Sequence, residues 1–325
     1  MPQTEDVRSL YTAFQEEFRS VNNCIAAELC SDVALVEQIG QHILGAGGKR
    51  LRPLLVLLSA SACGYKGTQH IVLAAIIECL HTATLLHDDV VDASDLRRGR
   101  LTANAHWGNA PSVLVGDFLY SRAFQMMVRL KNLAVMDALA KATNVIAEGE
   151  VMQLANVRNL QTTESEYMRT ICCKTAALFA VSSQSAALLA GVDETRVQAF
   201  RRYGEHLGMA FQLTDDLLDY TGDQSELGKN PGDDLAEGKL TLPLIHALNQ
   251  RPEAVSMVEQ ALAADGPDAR DPVMQLVNES GALDYTVRSA HRQVEQAIAA
   301  LDGMTHGTSR QALEKLARFS VSRMA

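Results

Sequence analysis

Residues 85–100 read LLHDDVVDASDLRRGR, and residues 211–223 read FQLTDDLLDYTGD. Both contain the spacing DDxxD. On a helix, side chains four residues apart share a face and sit one turn, about 5.4 Å, from each other. Asp88 and Asp92 therefore stack with Asp89 beside them, and Asp215 and Asp219 stack with Asp216 beside them. Each set lies on or follows an apolar run. Like charges this close repel, and desolvation at the end of an apolar helix adds to the cost. A divalent cation removes both problems. Hard oxygen donors from a few carboxylates, with the other positions left to water or phosphate, suit Mg²⁺. One box alone reads equally as a solvated acidic helix end. Two boxes on apolar helices point to a site, and if they face each other they can hold several Mg²⁺ ions bridging to a substrate diphosphate. His81 and Thr84 extend the first polar stripe backwards, and Gln212 lies one turn before Asp216.

The cations follow a matching pattern. Residues 45–53 read GAGGKRLRP, where glycines permit an open loop and Lys49, Arg50 and Arg52 crowd into four positions. Arg97 and Arg98 follow the first acidic box. Lys174 and Thr175 lie in CCKTAALF, and Lys229 and Lys239 in GKNPGDDLAEGKLTLPL. Arginine offers a planar fork to phosphate oxygens, and lysine a compact charge. Any one of these groups could be a solvated surface residue, and His81 a hydrogen-bonded core histidine. Set together in a chain of net charge −10, alternating with two carboxylate boxes, they suggest two anion sites, one metal-bridged and one metal-free.

Helices must position these groups. Hydrophobic residues make up 47% of the 325 residues but aromatics only 5%, which favours helix packing over a β-sandwich. Helical periodicity runs almost throughout, with no series of alternating strands. Helices are predicted to begin around Pro53 and Pro111, both good first-turn positions. Thr163 with Glu166 reads as a capping box. Gly191 ends that helix and Asp193 opens the next. Breaks fall at 45–52, 94–110, 221–239 and 264–271, none of them a clear linker, so the expectation is one all-α domain over 1–325. Residues 71–86 and 171–190 are apolar on most faces, as helices around an apolar cavity would be. The acidic balance excludes a nucleic-acid surface. Cys24, Cys30, Cys63, Cys79, Cys172 and Cys173 form no CxxC pair and read as reduced thiols of a cytoplasmic protein. MPQTEDVRSL has no apolar leader segment. The run Ile71–Leu86 contains Glu78 and His81 and falls short of the ~20 residues of a span, so no integral membrane segment is expected.

GGKRLRP, HTATLLHDDVVDASDLRRG, KTA, FQLTDDLLDY and GKNPGDDLAEGKLTLP, in that order over residues 45–244, resemble the successive signatures of the trans (head-to-tail) polyprenyl diphosphate synthases. The resemblance is closest to the bacterial octaprenyl branch that makes ubiquinone side chains. It implies an isoprenoid-synthase bundle around a central apolar cavity, one polyprenyl synthetase domain over 1–325, and a homodimer. It implies that Asp88 and Asp92 bind two Mg²⁺ ions and Asp215 a third, with Asp89, Asp216 and Asp219 supporting them. Arg97, Lys174, Lys229 and Lys239 would hold the allylic diphosphate, with Thr175 and Gln212 nearby, and Lys174 is counted among the catalytic groups. Lys49, Arg52, His81 and Arg98 would bind isopentenyl diphosphate. Ala83 and Thr84 are small where short-chain members carry bulk, so the product tail could pass toward Leu80, Met126 and Met127. The expected product is octaprenyl or nonaprenyl diphosphate. The competing readings are a class I terpene cyclase, an HD-type phosphohydrolase using His81, His87 and Asp88, and a non-catalytic partner subunit, which would be expected to lose one box.

Overall fold

Leu, Ala and Val at helical spacing produce a helical molecule. In the computed structural model the described residues are 2–45, 47–97, 99–221, 232–264, 267–305 and 307–322. The first five helices are α1 (Pro2–Ala13), α2 (Gln15–Leu29), α3 (Ala34–Gly45), α4 (Leu51–Ala62) and α5 (Gln69–Val91). A two-stranded antiparallel ribbon follows, pairing Leu96 with Leu101 and Arg97 with Arg100. Then come α6 (Ala103–Trp107), α7 (Asn109–Arg129), α8 (Leu133–Ala155), α9 (Glu164–Ile171), α10 (Ala177–Ala190) and α11 (Glu194–Thr221). Beyond residue 231 lie α12 (Asp233–Ala236), α13 (Leu242–Gln250), α14 (Val255–Ala263), α15 (Pro267–Glu279), α16 (Ala282–Ala299) and α17 (Thr308–Val321).

The local signals act as their chemistry requires. Pro53 and Pro111 each occupy the first turn of a helix that starts two residues earlier, where a missing N–H costs nothing. Thr163 and Glu166 form the reciprocal capping box, with the Thr163 N–H donating to Glu166 Oε2 at 2.8 Å and the Glu166 N–H to Thr163 Oγ1 at 3.3 Å. Gly191 closes α10 in the left-handed region at φ 67°. Asp193 accepts the Arg196 N–H at the head of α11.

Helices α4, α5, α10 and α11 pack together at the centre, with α7 against α5 and α16 against α11. The core forms two clusters. One centres on α11 and includes Phe179, Phe200, Tyr203 and Leu213. The other centres on α5 and includes Ile76, Ile77, Leu80 and Ala83. Two stretches, Gln69–Val91 and Glu164–Ala190, are long and apolar enough to span a membrane, but 61% and 67% of their apolar windows are buried inside the bundle. Their apolar character is accounted for by the core.

One departure from the expected pattern matters for the site. The predicted continuous helix from Glu164 to Ala190 is interrupted by a π-turn over Cys172–Ala176. A π-turn inserts an extra residue into the helical spiral and re-aims the side chains on it. Lys174 and Thr175 lie on this turn.

Close helix approach at the centre depends on missing side chains. A Cβ placed on Gly204 of α11 would lie 2.3 Å from Ser183 Oγ, 2.4 Å from the Phe179 carbonyl and 2.8 Å from Ala180 Cα, all on α10. Two of those atoms belong to backbone and cannot yield cheaply. Gly204→Ala is therefore expected to lower the unfolding free energy by about 1–3 kcal/mol, measured by urea denaturation. Gly303→Ala, where nothing lies within 4 Å, should stay within about 0.5 kcal/mol of the parent.

Candidate active site

A cavity of about 1110 Å³ receives both aspartate boxes, Asp88 and Asp92 from the end of α5 and Asp215, Asp216 and Asp219 from α11. Their burial is costly. Burial pushes the Asp88 carboxyl up to about 7, opposed by Lys174 and reinforced by Glu150 and Asp92. Burial, then the charge of Asp234, pushes Asp216 and Asp219 up to about 8 each. Asp234 comes from α12 and lines the same cavity, and its backbone N–H donates to Asp219 Oδ2 at 3.3 Å. The sequence pattern did not single it out, because its partner lies fifteen residues away in the chain.

The first box divides its labour. Asp88 and Asp92 face the cavity. Asp89 is only 1% exposed and accepts Arg97 Nε and Nη2 on one oxygen at 2.9 and 2.6 Å. Asn104 from α6 donates to the Asp89 carbonyl at 3.0 Å and to the Ser94 carbonyl at 3.2 Å. Asp89 therefore fixes the ribbon arginine at the cavity wall.

Two lysines reach the same space. Lys174 Nζ lies 2.7 Å from Glu150 Oε2 and donates to Gln153 Oε1 at 2.5 Å. Gly149 makes this possible, since a Cβ there would sit 2.5 Å from the Lys174 backbone nitrogen. Lys239 Nζ lies between Asp92 Oδ2 at 2.8 Å and Glu237 Oε2 at 2.5 Å. Burial opposes its charge, but the two carboxylates outweigh burial and hold it protonated.

Behind the second box runs a hydrogen-bond chain. Thr175 Oγ1 donates to Gln212 Oε1 at 2.7 Å, and Gln212 Nε2 donates to Asp216 Oδ1 at 2.7 Å. Tyr167 donates its O–H to Asp216 Oδ2. Thr175 and Gln212 were expected here from their motifs. Tyr167, Glu150 and Gln153 were not, because none stands at helical spacing from a box.

The segment GGKRLRP separates its three cations by backbone geometry. Gly47, Gly48 and Arg50 have φ of 75°, 143° and 48°. Arg50 turns to the carboxylate of Glu78 and to the Leu44 carbonyl at 3.3 Å. Arg52 Nη1 lies 3.2 Å from His81 Nε2, and its guanidinium stacks 4.2 Å from the Phe179 ring centre. Lys49, Arg50, Arg52 and His81 all line the cavity, Arg50 beside its partner Glu78. Arg98 and Lys229 lie outside the described residues.

Thr84, Leu85, Ile146 and Leu178 also line the cavity. Ala83, Leu80, Met126 and Met127 do not. They are at most 1% exposed and close-packed in the α5 core. Thr84 faces the space and Ala83 lies behind its wall.

A family model described as polyprenyl synthetase matches residues 33–280. The octaprenyl diphosphate synthase of Escherichia coli is 49% identical over 95% of this chain and 96% of its own. An all-trans-nonaprenyl-diphosphate synthase of Rhodobacter capsulatus, described as geranyl-diphosphate specific, is 47% identical over 95% of each chain. A crystal structure of a polyprenyl synthase from Caulobacter crescentus, complexed with calcium and isoprenyl diphosphate, superposes with a TM-score of 0.95 at 44% identity, covering 98% of both chains. The chain, with residues of both aspartate boxes on one cavity, therefore has the fold of a prenyltransferase and belongs to the polyprenyl synthetase family.

Proposed function

We propose that the protein condenses isopentenyl diphosphate head-to-tail onto an allylic diphosphate such as farnesyl diphosphate, extending it to octaprenyl or nonaprenyl diphosphate for a ubiquinone side chain. One observation carries this reading: Asp88 and Asp92 of the first box, all three aspartates of the second and the cations Lys49, Arg52, Arg97, Lys174 and Lys239 open onto one cavity that apolar residues such as Leu85, Ile146 and Leu178 also line. The octaprenyl and nonaprenyl synthases among the relatives support the long product.

The donor set fits Mg²⁺. The carboxylates are hard oxygen donors, and burial makes them expensive as bare anions. No group of three or more His, Cys, Asp or Glu forms a ready metal cage among the described residues, so water and diphosphate oxygens would complete the coordination. Asp88 and Asp92 would hold two ions and Asp215 a third, with Asp89, Asp216 and Asp219 supporting. Bound there, the ions supply positive charge to a departing diphosphate.

The protein's own groups do the rest. Lys174, Lys239 and Arg97, with Lys229, hold the allylic diphosphate, and Thr175 and Gln212 stand beside the reacting end. Lys49, Arg52 and His81, with Arg98, hold isopentenyl diphosphate so that its double bond faces the allylic carbon. The allylic C–O bond breaks, the double bond attacks the cation to form the new C–C bond, and a proton leaves to the released diphosphate. A terpene cyclase has no need of the second cationic subsite. In an HD-type reading His81 and His87 would converge on Asp88, but His81 pairs with Arg52, and His87 Nε2 faces the Val113 carbonyl and Asp117.

The reading extends to a homodimer in the cytoplasm. Leu114, Val128, Leu133, Val151 and Leu154 are exposed apolar residues on α7 and α8, suited to a second copy. All six cysteines are free thiols.

Two experiments test the reading. Asp88→Ala and Asp215→Ala should each cut turnover by about a thousandfold or more with the thermal midpoint retained, and chelation should abolish parent turnover until Mg²⁺ is restored. Near-normal rates in both folded variants would remove the assignment. Thr84→Phe, which adds bulk facing the cavity, should shorten the products seen by chromatography. Ala83→Phe acts from behind the wall and should shorten them by displacing Thr84. Full-length products from a folded Thr84→Phe protein would refute this path for the tail.

A further inference from the structure

The family match begins at residue 33, yet a side chain from the preceding helices reaches the cationic loop. Tyr11, on α1, donates its O–H to the backbone carbonyl of Lys49. Its ring stacks on Phe18 with centres 5.5 Å apart. Burial, then the Glu78 carboxylate, pushes the phenol pKa up, so the hydroxyl keeps its proton.

The loop needs such a hold. Residues 47–50 belong to no helix or strand, and three of the four have positive φ. The Lys49 carbonyl therefore has no helical ladder to join, and Tyr11 supplies its donor. From the other side, Lys49 Nζ lies 5.9 Å above the ring of Phe319 on α17. The first and last helices of the chain pack together and bracket Lys49 between them.

We propose that Tyr11 is a positioning residue for the isopentenyl diphosphate subsite. Its hydroxyl fixes the Lys49 peptide, and the peptide sets how far the Lys49 ammonium reaches into the cavity. Arg50, one residue further on, lines the same cavity but is engaged by the Glu78 carboxylate. The inference rests on assigning Lys49 to isopentenyl diphosphate.

Tyr11→Phe keeps the ring and its stacking and removes only the donor. Steady-state kinetics of the full chain, varying each substrate in turn, should show the KM for isopentenyl diphosphate rising about fivefold to tenfold, with the farnesyl diphosphate KM and kcat within about twofold. The thermal midpoint should be retained. Adding Lys49→Ala should give no more than Lys49→Ala alone. An unchanged isopentenyl diphosphate KM in Tyr11→Phe, while Lys49→Ala raises it, overturns the positioning role and leaves the subsite standing. Equal rises in both KM values with a lowered midpoint overturn it too. An unchanged KM in Lys49→Ala removes the subsite assignment, and this inference with it.

Discussion

Mutual repulsion among carboxylates held at the edge of an apolar core is the constraint on which the site is organised. Asp88, Asp92, Asp215, Asp216, Asp219 and Asp234 line one cavity, and burial raises three of them toward neutrality. A folded chain tolerates this by holding some of the carboxyls protonated or by bringing positive charge to them. Three nearby cations are deployed accordingly. Lys239 spans from the second half of the chain to Asp92, Arg97 clasps Asp89, and Lys174 is held by Glu150 beside Asp88. The same cations are those that a diphosphate would attract, so the charges that stabilise the ligand-free cavity are already arranged for the ligand.

That arrangement makes demands on packing. Lys174 reaches Glu150 from a π-turn whose backbone lies against Gly149. Gly208 gives the same freedom on α11, where a Cβ would sit 2.6 Å from Ala176 Cα at the end of the π-turn. The bundle core supplies the stability, since each fully buried Leu or Ile contributes about 1.5–3 kcal/mol, and α5 alone places Leu73, Ile76, Ile77, Leu80 and Leu86 at no more than 1% exposure. With that margin the end of the same helix can carry a costly charge cluster.

Much of this was legible in the sequence where the periodicity was local. DDxxD at helical spacing gave the two boxes, and the capping box, first-turn prolines and Gly191 gave helix ends near where they occur. Asp234, Glu150, Gln153 and Tyr167 were not legible because their partners are distant in sequence and meet only through packing. The π-turn was hidden for a related reason: CCKTAALF contains no Gly or Pro to mark a break, and one extra residue in a turn leaves no compositional mark. The interior turns on a finer difference. Ala83 and Thr84 look equivalent as neighbours of like size, but a one-residue step turns a helical side chain by about 100°. That turn separates a cavity wall from the closed core.

The cationic loop shows how far residue type alone can carry an assignment. Lys49, Arg50 and Arg52 are three cations within four positions, equally suited by chemistry to bind an anion. The left-handed φ of Arg50 sends its guanidinium to buried Glu78, where it closes an ion pair between the loop and α5. Removing either partner would leave the other half-buried and uncompensated, a loss of about 3–5 kcal/mol in buried pairs, so Arg50 acts as the loop's anchor. Two residues on, Arg52 is already inside α4, and the helix aims it across Phe179 toward His81. Lys49, before the anchor, is held by contacts from both ends of the chain. All three cations line the cavity, and backbone direction sets what each one touches there: Arg50 is tied to Glu78, which fastens the loop to the helix that carries the first aspartate box.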